Sequence, residues 1–467
     1  MRKIEKVILE DIEIFDAGAE GVAVGRYGEK IVFVKNAVPG DVVDVLVTRK
    51  KKSFIEGKMH ALKKASTMRE VPFCSHFGLC GGCKWQNLKY EHQLFFKQKQ
   101  VTDSIQRIGK FEVGEMLPIL GSERTTFYRN KLEYTFSRGR WLTDEDMKTP
   151  TEDRNMNALG FHLPQHFDRV LDIDFCYLQD EPSNKLRNSL REYSIKKGLA
   201  FYDARQQQGF LRNLVIRTGL SGEVMIIAVF GFEDEEERVQ FLDYIVANFP
   251  EITSLFYIIN TKRNDTISDQ LAILYHGSPV MTETMEDLAF RIGPLSFFQT
   301  NPTQAYQLYK IVREFAQAGP EDVIYDLYTG TGTIANFVAR QANKVVGIEY
   351  IESAITDAKE NAAANNITNA LFIAGDIAKT LNETFVNEYG SPDIIITDPP
   401  RAGMHKDVVD QIIRIRPRRV VYVSCNPATQ ARDVALMQDF YTIEKVQPVD
   451  MFPHTQHVEN VMLLIAK

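Results

Sequence analysis

Two segments of the chain decide its fold: Ile394-Ile-Ile-Thr-Asp398-Pro-Pro-Arg401 and Val420-Val-Tyr-Val-Ser-Cys425-Asn-Pro427. Each is a short run of apolar, mostly β-branched residues that stops at polar residues and proline. This pattern is typical of a buried parallel strand, and open α/β sheets hold their ligands at the carboxyl edge of such strands. We therefore expect Asp398 and Cys425 to face one pocket, although a cysteine at a strand end is more often a packed core residue than a nucleophile.

The composition is that of an ordinary globular protein with several domains. The chain has 467 residues, of which 44% are hydrophobic and 25% charged, and a prior of ~150 residues per domain predicts about three domains. Residues Met1–Lys6 do not begin an apolar signal sequence, and no apolar run is long enough for a membrane span. We expect a cytoplasmic monomer without a membrane segment. The net charge of −7 requires any nucleic-acid binding to come from local basic patches.

One basic patch lies between residues 49 and 69. It contains eight basic side chains and a single acid, Glu56; the basic residues are Arg49, Lys50, Lys51, Lys52, Lys58, Lys63, Lys64 and Arg69. A run of this kind suits contacts with RNA phosphates, but it is equally typical of a solvated surface. Residues 1–65 around it alternate apolar and polar positions between glycines, which predicts a small antiparallel β-barrel of the OB type.

Four of the five cysteines predict a metal site. Cys74, Cys80 and Cys83 lie within ten residues of one another, and Cys176 is the natural fourth ligand. In a cytosolic protein such a cluster indicates a metal and not disulfides. Four thiolates suit a tetrahedral zinc ion and a [4Fe-4S] cluster equally well, and the spacing does not decide between them. Cys425 is then the one thiol left unassigned.

The region from 66 to 289 is predicted to be a central α+β domain. Residues 90–109 have helical spacing, and their apolar side is predicted to contain Leu94, Phe95, Val101 and Ile105. Residues 127–136 predict a strand in which aromatic and cationic side chains interleave. That pattern suits stacking on unpaired bases together with phosphate contacts, and it suits an amphipathic strand with one solvated face nearly as well.

Residues 290–467 alternate strands and helices, which predicts a doubly wound, Rossmann-like sheet. A strand at 323–327 leads into the glycine loop Tyr328-Thr-Gly330-Thr-Gly-Thr333, and Glu349 follows 19 residues after Gly330. A nicotinamide dehydrogenase has a similar glycine loop and acid. Asp326 before the loop and Asp-Pro-Pro after the fourth strand fit S-adenosylmethionine better, because that cofactor has a ribose and a cationic amino-acid end but no pyrophosphate.

Six motifs in order resemble the RNA uracil-C5 methyltransferase family over nearly the whole chain. They are Cys-x5-Cys-Gly-Gly-Cys, Phe298-Gln-Thr-Asn301, Asp326-Leu-Tyr-Thr-Gly-Thr-Gly, Asp398-Pro-Pro-Arg401, Ser424-Cys-Asn-Pro427 and Asp450-Met-Phe-Pro-His-Thr-Gln-His-Val-Glu459. The resemblance implies an N-terminal TRAM domain that helps to hold RNA, a central domain with a [4Fe-4S] cluster, and a C-terminal class I methyltransferase domain.

The resemblance also assigns site residues. The cofactor pocket would be lined by Gln299, Tyr328, Thr333, Glu349, Asp376 and Asp398. Some members of the family carry Phe-Cys-Gly in the glycine loop and Asn in place of Thr333, so individual cofactor hydrogen bonds differ here. Cys425 would add to C6 of uracil, which activates C5, and Glu459 would remove the C5 proton. From the residues alone, Glu459 is a surface acid before the last strand.

These features predict a methyltransferase that makes 5-methyluridine in RNA. Ribosomal RNA is favoured over transfer RNA, because the ribosomal members of the family resemble this chain in having both the barrel and the cysteine cluster. An amino-methylating enzyme is an alternative, since Asp-Pro-Pro also opens its motif, but there an aromatic residue usually follows the prolines, where this chain has Arg401. A non-catalytic RNA-binding module is the other alternative.

Overall fold

Five N-terminal strands form a closed barrel in the order β1-β2-β3-β5-β4. The computed structural model describes residues 7–18 and 20–467, so the prediction for Met1–Lys6 lies outside the described residues. The strands are β1 (Ile8–Ala17), β2 (Ala23–Tyr27), β3 (Lys30–Lys35), β4 (Val42–Lys50) and β5 (Phe54–Lys64). The predicted barrel is confirmed with one difference: β5 pairs with β3 in parallel, because the β4–β5 hairpin folds β5 back beside β3.

Most basic side chains of residues 49–69 are exposed, but some of them pair with carboxylates of the barrel. Arg69 donates from Nε and Nη2 to the buried carboxylate of Asp41, at 2.8 and 2.7 Å, which ties the end of the barrel segment to the turn before β4. Lys63 pairs with Asp44. Lys50, Lys51 and Lys52 are exposed at the tip of the β4–β5 hairpin. The patch is therefore smaller than the eight residues that the sequence suggested.

A seven-stranded sheet forms the centre of the molecule, in the order β13-β12-β11-β10-β7-β8-β9. Its strands are β7 (Lys131–Ser137), β8 (Ala158–His162), β9 (Val170–Asp172), β10 (Leu211–Thr218), β11 (Val224–Phe230), β12 (Ser254–Ile259) and β13 (Ile273–Gly277). Two helices accompany it, α2 (Ser183–Lys197) and α3 (Glu235–Asn248), with short 3₁₀ turns at Asp146–Lys148 and Thr151–Asp153. Alternate residues of β10 and β11 belong to two different apolar cores, so both faces of the sheet are buried.

The predicted interleaved strand is shorter than expected. It begins at Lys131 and not at Phe127, whose backbone has a φ of 53°. Tyr134 and Phe136 are 0% and 1% exposed, because they fill the core between this sheet and its helices. These two rings are therefore unable to stack on RNA bases, and for them the amphipathic-strand interpretation is the correct one.

The C-terminal sheet has eight strands in the order β18-β17-β16-β19-β20-β22-β21-β6. They are β6 (Val113–Met116), β16 (Val323–Leu327), β17 (Lys344–Glu349), β18 (Ala370–Ala374), β19 (Ile394–Thr397), β20 (Arg419–Ser424), β21 (Tyr441–Val449) and β22 (Glu459–Ala466). The five strands from β18 to β20 pair in parallel, as predicted for a doubly wound sheet. A separate hairpin of β14 (Met281–Met285) and β15 (Leu288–Ile292) precedes this sheet.

Helices cover both faces of the C-terminal sheet. They are α4 (Pro302–Ala316), α5 (Thr333–Ala339), α6 (Glu352–Ala364), α7 (Ile377–Thr380), α8 (Glu383–Tyr389), α9 (Lys406–Ile415) and α10 (Pro427–Ala435). Within the described ranges, no helix is both long and apolar enough to cross a membrane. One apolar core runs from β10–β12 through the β14–β15 hairpin into this sheet. The division of the chain at residues 65 and 289 stays a prediction.

The helix predicted over 90–109 is α1 (Tyr90–Ser104), followed by a π-helical turn at Ile105–Gly109. Val101 and Ile105 are buried against the C-terminal sheet, as expected. Phe95 is 58% exposed, whereas Gln93 and Lys97 are 0% exposed. The prediction of the buried side was wrong at Phe95, because two polar side chains are buried here by hydrogen bonds to a loop distant in sequence.

Candidate active site

Three neighbouring parallel strands bring their last side chains to one edge of the C-terminal sheet. Asp326 lies near the end of β16, Asp398 follows β19, and Cys425 follows β20. The loops after β19 and β20 are joined directly, because Asn426 Nδ2 and Thr429 Oγ1 donate to the carbonyl oxygen of Arg401 at 3.1 and 3.2 Å. The expected meeting of Asp398 and Cys425 at one edge is therefore present in the fold.

Glu459 reaches the same place from an antiparallel neighbour. Strands β20 and β22 pair with Ser424 opposite Asn460 as the last pair, and the same register continued by one residue sets Cys425 opposite Glu459. Cross-strand neighbours in antiparallel sheets have their Cβ atoms about 5 Å apart. Glu459 is only 6% exposed. The expectation of a surface acid, drawn from the residues alone, was wrong, because the sequence does not show that β22 is inserted between β20 and β21.

Burial and mutual repulsion raise the pKa values of these groups. Burial raises the pKa of Asp398 to about 7. Burial and then the charge of Asp398 raise the pKa of Glu459 to about 8, with Arg401 opposing them. Burial, Glu459 and Asp398 raise the pKa of Cys425 to about 11, and Arg401 again lowers it. Perturbed acids and a thiol gathered in one place are typical of a catalytic site, and Arg401 is the cation that favours the ionised forms of Glu459 and Cys425.

Arg401 also fixes the tautomer of His457, a residue to which the sequence alone assigned no role. Its Nη2 lies 2.9 Å from Nδ1 of His457. A guanidinium group only donates hydrogen bonds, so Nδ1 accepts and the ring proton of neutral His457 is on Nε2. Burial and the nearby Arg401 lower the pKa of His457 to about 4. The only sequence signal for this residue was its position two residues before Glu459.

The glycine loop joins β16 to α5 and has an open face. Gly330 N donates to Glu349 Oε2 at 3.2 Å, so the acid at the end of β17 closes one side of the loop. A side-chain carbon built on Gly330 would meet nothing within 4 Å. Asp326 accepts from Thr329 Oγ1 at 2.5 Å through Oδ2, while its buried Oδ1 has no hydrogen-bond partner. The open space at Gly330, the Glu349 carboxylate beside it and the unpaired Oδ1 of Asp326 fit a ligand with hydroxyl groups and a cationic end, as S-adenosylmethionine has.

The other predicted cofactor residues lie at different distances along the chain from this loop. Thr333 is the first residue of α5, and Tyr328 adopts a φ of 64° at the start of the loop. Asp376 follows β18 and caps α7 by accepting from Ala378 N at 3.2 Å. Gln299 is farther away along the chain, and its backbone oxygen accepts from Asn130 of the central region at 3.1 Å. The fold thus sets Asp376 and Glu349 at the ends of adjacent strands.

The four cysteines predicted as metal ligands line one cavity of about 550 Å³ between the N-terminal side of α1 and the central sheet; they are Cys74, Cys80, Cys83 and Cys176. Gly81 has a φ of 77°, and a Cβ atom there would lie 2.3 Å from Pro164. Only glycine therefore permits this tight turn between Cys80 and Cys83. Asn184 fixes Cys176 by accepting from its backbone nitrogen at 2.7 Å and donating to its oxygen.

These thiols are not gathered around a single point. All five cysteines are free thiols, and in the described part of the chain no three His, Cys, Asp or Glu side chains are close enough to hold one metal ion. Burial raises the pKa of Cys80 to about 11 and that of Cys83 to about 12. Because thiolates and not thiols bind metals, loading this cavity requires the release of protons.

Comparison with known proteins identifies the class to which this site belongs. The sequence profile of the tRNA (Uracil-5-)-methyltransferase family matches residues 280–467. A protein of Bacteroides thetaiotaomicron, described as an uncharacterized RNA methyltransferase, is 54% identical over 449 residues, which is 96% of this chain and 99% of the relative. A protein of Porphyromonas gingivalis with the same description is 52% identical over 461 residues, covering 97% and 99% of the two chains. These relatives show that the chain is an S-adenosylmethionine-dependent RNA methyltransferase.

A solved structure extends the similarity to the whole architecture. The Pyrococcus abyssi tRNA (uracil-54, C5)-methyltransferase in complex with S-adenosyl-L-homocysteine is 28% identical to this chain, with a TM-score of 0.74, over 97% of this chain and 99% of the other. The chain belongs to the RNA (uracil-5-)methyltransferase family. Its C-terminal sheet therefore has the class I methyltransferase fold, as the resemblance implied.

Proposed function

We propose that the enzyme methylates C5 of a uridine in RNA through a covalent adduct between Cys425 and C6, with Glu459 as the base. The observation that carries this proposal is the β20–β22 register, which sets the thiol opposite the carboxyl group at the ligand edge of the sheet. The target uridine then lies between the two side chains, and its ring must leave the base stack to enter.

The chain's own groups account for the bond changes. The thiolate of Cys425 adds to C6, and the electron pair of the C5–C6 double bond moves onto C5 and O4. S-adenosylmethionine would supply an electrophilic sulfonium methyl group, whose S–C bond would break as the methyl bond to C5 forms, so that S-adenosylhomocysteine would leave. Glu459 in its ionised form then takes the proton from C5, and the returning electron pair reforms the double bond and expels the thiolate of Cys425. The thiol proton of Cys425 is released to solvent before addition, and the C5 proton ends on the carboxyl group of Glu459.

Three side chains are suited to stabilise the charge on uracil O4 or to read the edge of the base. Arg401 is positively charged, and its backbone oxygen is fixed by the loop that carries Cys425. Asp398, with a pKa raised by burial to about 7, exists in part as a neutral acid that donates a hydrogen bond. His457 offers a proton on Nε2 because Arg401 occupies Nδ1. A donor aimed at O4 lowers the barrier to thiolate addition.

The cofactor would be held around the glycine loop. We assign this pocket to six residues: Gln299, Tyr328, Thr333, Glu349, Asp376 and Asp398. Glu349 suits the ribose hydroxyl groups, since it ends β17 beside the loop. The acidic edge formed with Asp326 suits the cationic amino-acid end.

We also propose that Cys74, Cys80, Cys83 and Cys176 hold a [4Fe-4S] cluster with a structural role. Their common cavity and the family resemblance support this assignment. With four protein thiolates as ligands, such a cluster keeps no position for substrate. Anaerobic preparation is expected to give a brown protein with broad visible absorption. A colourless protein with one zinc ion per chain would contradict the assignment.

The RNA is proposed to be ribosomal, held in part by the barrel of residues 1–65. The exposed Lys50, Lys51 and Lys52 at the β4–β5 tip suit phosphate contacts. Transfer RNA is the second candidate, because the similar Pyrococcus abyssi enzyme acts on tRNA uracil-54. We further propose that the enzyme works as a monomer in the cytoplasm, a compartment that keeps its five free thiols reduced.

Nucleoside mass spectrometry tests the reaction and the substrate together. Ribosomal and transfer RNA from cells with and without the gene are digested and compared. We expect 5-methyluridine to be lost from ribosomal RNA alone. Loss from transfer RNA alone would select the second candidate. Loss of methyladenosine or methylcytidine, or no loss of any methylated nucleoside, would refute C5 methylation.

A further inference from the structure

The loop that leads into Glu459 is held by residues far from it in sequence. We define the catalytic loop as Asp450–Val458, which joins β21 to β22. Its first residue, Asp450, is 0% exposed, and its last, Val458, is 1% exposed. A buried loop must find partners for its polar groups, and most of these partners lie on or just before α1.

Lys97 of α1 is the central partner. Its side chain is fully buried, and its Nζ donates to Asp450 Oδ1 at 2.5 Å and to the backbone oxygen of Phe452 at 3.0 Å. The same carboxylate accepts from Tyr90 OH at 2.9 Å and from Phe452 N at 3.0 Å. The ammonium and the carboxylate thus fix the first turn of the catalytic loop from two sides.

Stability alone is a poor reason for this ion pair. Removing two charges from water costs several kcal/mol per ion, and replacing a buried pair with apolar residues is often neutral or stabilising. Burial accordingly lowers the pKa of Lys97, and only Asp450 opposes that shift. What the pair does supply is geometry, since the donors of Lys97 meet both a side chain and a backbone oxygen of the loop.

A second set of contacts fixes the middle of the loop. His454 has a φ of 63°, and its backbone nitrogen donates to Gln93 Oε1 at 2.8 Å. Its backbone oxygen accepts from the nitrogens of Lys84 and Trp85 at 2.9 and 3.0 Å. Gln93 lies one helical turn from Lys97, so both sets of contacts use the same face of α1.

The nucleophile is held by other means. Cys425 follows β20, and its loop is tied to the Arg401 backbone through Asn426 and Thr429. Neither of these residues contacts α1 through a hydrogen bond in the described part of the chain. The side-chain hydrogen bonds of Lys97 go to the catalytic loop, so its loss should move Glu459 and His457 more than Cys425, although α10 after Cys425 packs against α1.

We propose that Lys97 is a positioning residue for catalysis: through Asp450 and Phe452 it sets the path of the catalytic loop and so the position of Glu459 opposite Cys425. This inference rests on the proposed function, because it assumes that Glu459 acts after the adduct forms. Loss of Lys97 then slows release of the adduct and leaves its formation intact.

The test compares four variants, Glu459→Gln among them as the reference for a missing base, with unmodified RNA in the presence of S-adenosylmethionine. Lys97→Met removes the charge, and Lys97→Met/Asp450→Leu removes both charges so that no unpaired ion stays buried. The control is Lys99→Met, in the same helix, because Lys99 is partly exposed and binds Asp16 and Asp103 instead of the catalytic loop. Thermal unfolding gives the folded fraction, and denaturing gels give the amount of protein–RNA adduct.

We expect both Lys97 variants to turn over about 100-fold more slowly per folded molecule, since misplacement of a catalytic group by about 1 Å costs that much. The adduct should accumulate in them, as in Glu459→Gln, and the KM for RNA should change little. Lys99→Met should keep the wild-type rate and accumulate no adduct.

Two results separate the possible failures. If Glu459→Gln methylates RNA at the wild-type rate, Glu459 is not the base, and the proposed role of Lys97 is overturned as well. If Glu459→Gln accumulates adduct but the folded double variant turns over at the wild-type rate, the base assignment stands and the inference alone is overturned. A rate that falls only in proportion to the unfolded fraction of either Lys97 variant would also overturn it.

Discussion

The molecule holds cysteine in two partly buried environments that differ in their neighbours. Four thiols line a cavity beside the central sheet, where the groups that raise the pKa of Cys83 most, after burial, are other cysteines. Cys425 lies at the edge of the C-terminal sheet, among Glu459, Asp398 and Arg401. Burial raises the thiol pKa in both places, so burial does not distinguish them.

The neighbours distinguish them. Thiols that line one cavity are suited to bind a metal cluster once they move closer together, and the cluster then replaces their protons. A thiol that faces a cation and a carboxyl group is suited to form and break a bond to carbon. The cation stabilises negative charge, and the carboxylate accepts a proton from the substrate. The comparison predicts different losses when a single sulfur is removed: loss of methyl transfer at Cys425, and loss of metal binding and stability in the cysteine cavity.

The largest effect is expected at the edge of the C-terminal sheet. Cys425→Ala should lower methylation at least about 10,000-fold, since no other group there can form the adduct. Binding of S-adenosylmethionine, measured by calorimetry, and the visible absorption expected of the proposed cluster should be unchanged. Methyl transfer that persists in this variant would refute the covalent mechanism and make Cys425 a packed core residue.

A large but different effect is expected in the cysteine cavity. Cys80→Ala should abolish the visible absorption and lower the free energy of unfolding by about 4 kcal/mol, as loss of a structural metal does. Covalent trapping by 5-fluorouridine RNA should persist in the fraction that stays folded. If Cys80→Ala keeps its full absorption and stability, the cavity holds no cluster that depends on Cys80.

The two kinds of cysteine should also differ in how their functions depend on pH. The pKa of Cys425 is raised to about 11, so its thiolate fraction grows as pH rises toward that value. We expect kcat/KM to increase about tenfold per pH unit between about pH 7 and 9, since addition of the thiolate precedes methyl transfer. Visible absorption of the cluster should stay constant over this range. A flat kcat/KM profile would show that Cys425 does not react as a thiolate of raised pKa.

The smallest effect concerns stability at the active site. The pKa of Glu459 is raised from 4.5 to about 8, so the folded state keeps a proton that the unfolded state has lost. Stability from this group is therefore full below about pH 4.5 and falls as pH rises to 8. Glu459→Gln has no carboxyl group to ionise at this position. Its free energy of unfolding at pH 9 should therefore exceed that of the wild type by at least about 1 kcal/mol. Equal stability at pH 9 would contradict the buried charge, and measurement at pH 5 is the control.

Much of the fold follows from local pattern. The runs at 394–397 and 420–424 are buried parallel strands because they are apolar throughout and end in polar residues and proline. The glycine loop and Glu349 likewise stand where the spacing predicts them. The barrel is predictable from alternation, but its parallel β3–β5 pair is not, since register between distant strands leaves no local signal.

The active site is less predictable because its parts meet through long-range pairing. Glu459 reads as a surface acid until β22 is known to lie beside β20. Lys97 reads as a solvated residue of an amphipathic helix, and Phe95 as a buried one, yet their exposures are 0% and 58%. In both cases the polar side chain is buried by a segment more than 30 residues away along the chain: strand β20 for Glu459, and the loop that begins at Asp450 for Lys97.

The central claim is that one thiol of five forms a covalent bond to the substrate, and peptide mapping after trapping tests it most directly. RNA in which the target base is 5-fluorouridine is incubated with the enzyme and S-adenosylmethionine; fluorine at C5 cannot leave as a proton does, so the adduct persists. After digestion, mass spectrometry should find the nucleotide on Cys425 and on no other cysteine. A nucleotide attached to any of the four cavity thiols, or methylation of ordinary RNA without any trapped adduct, would contradict the account.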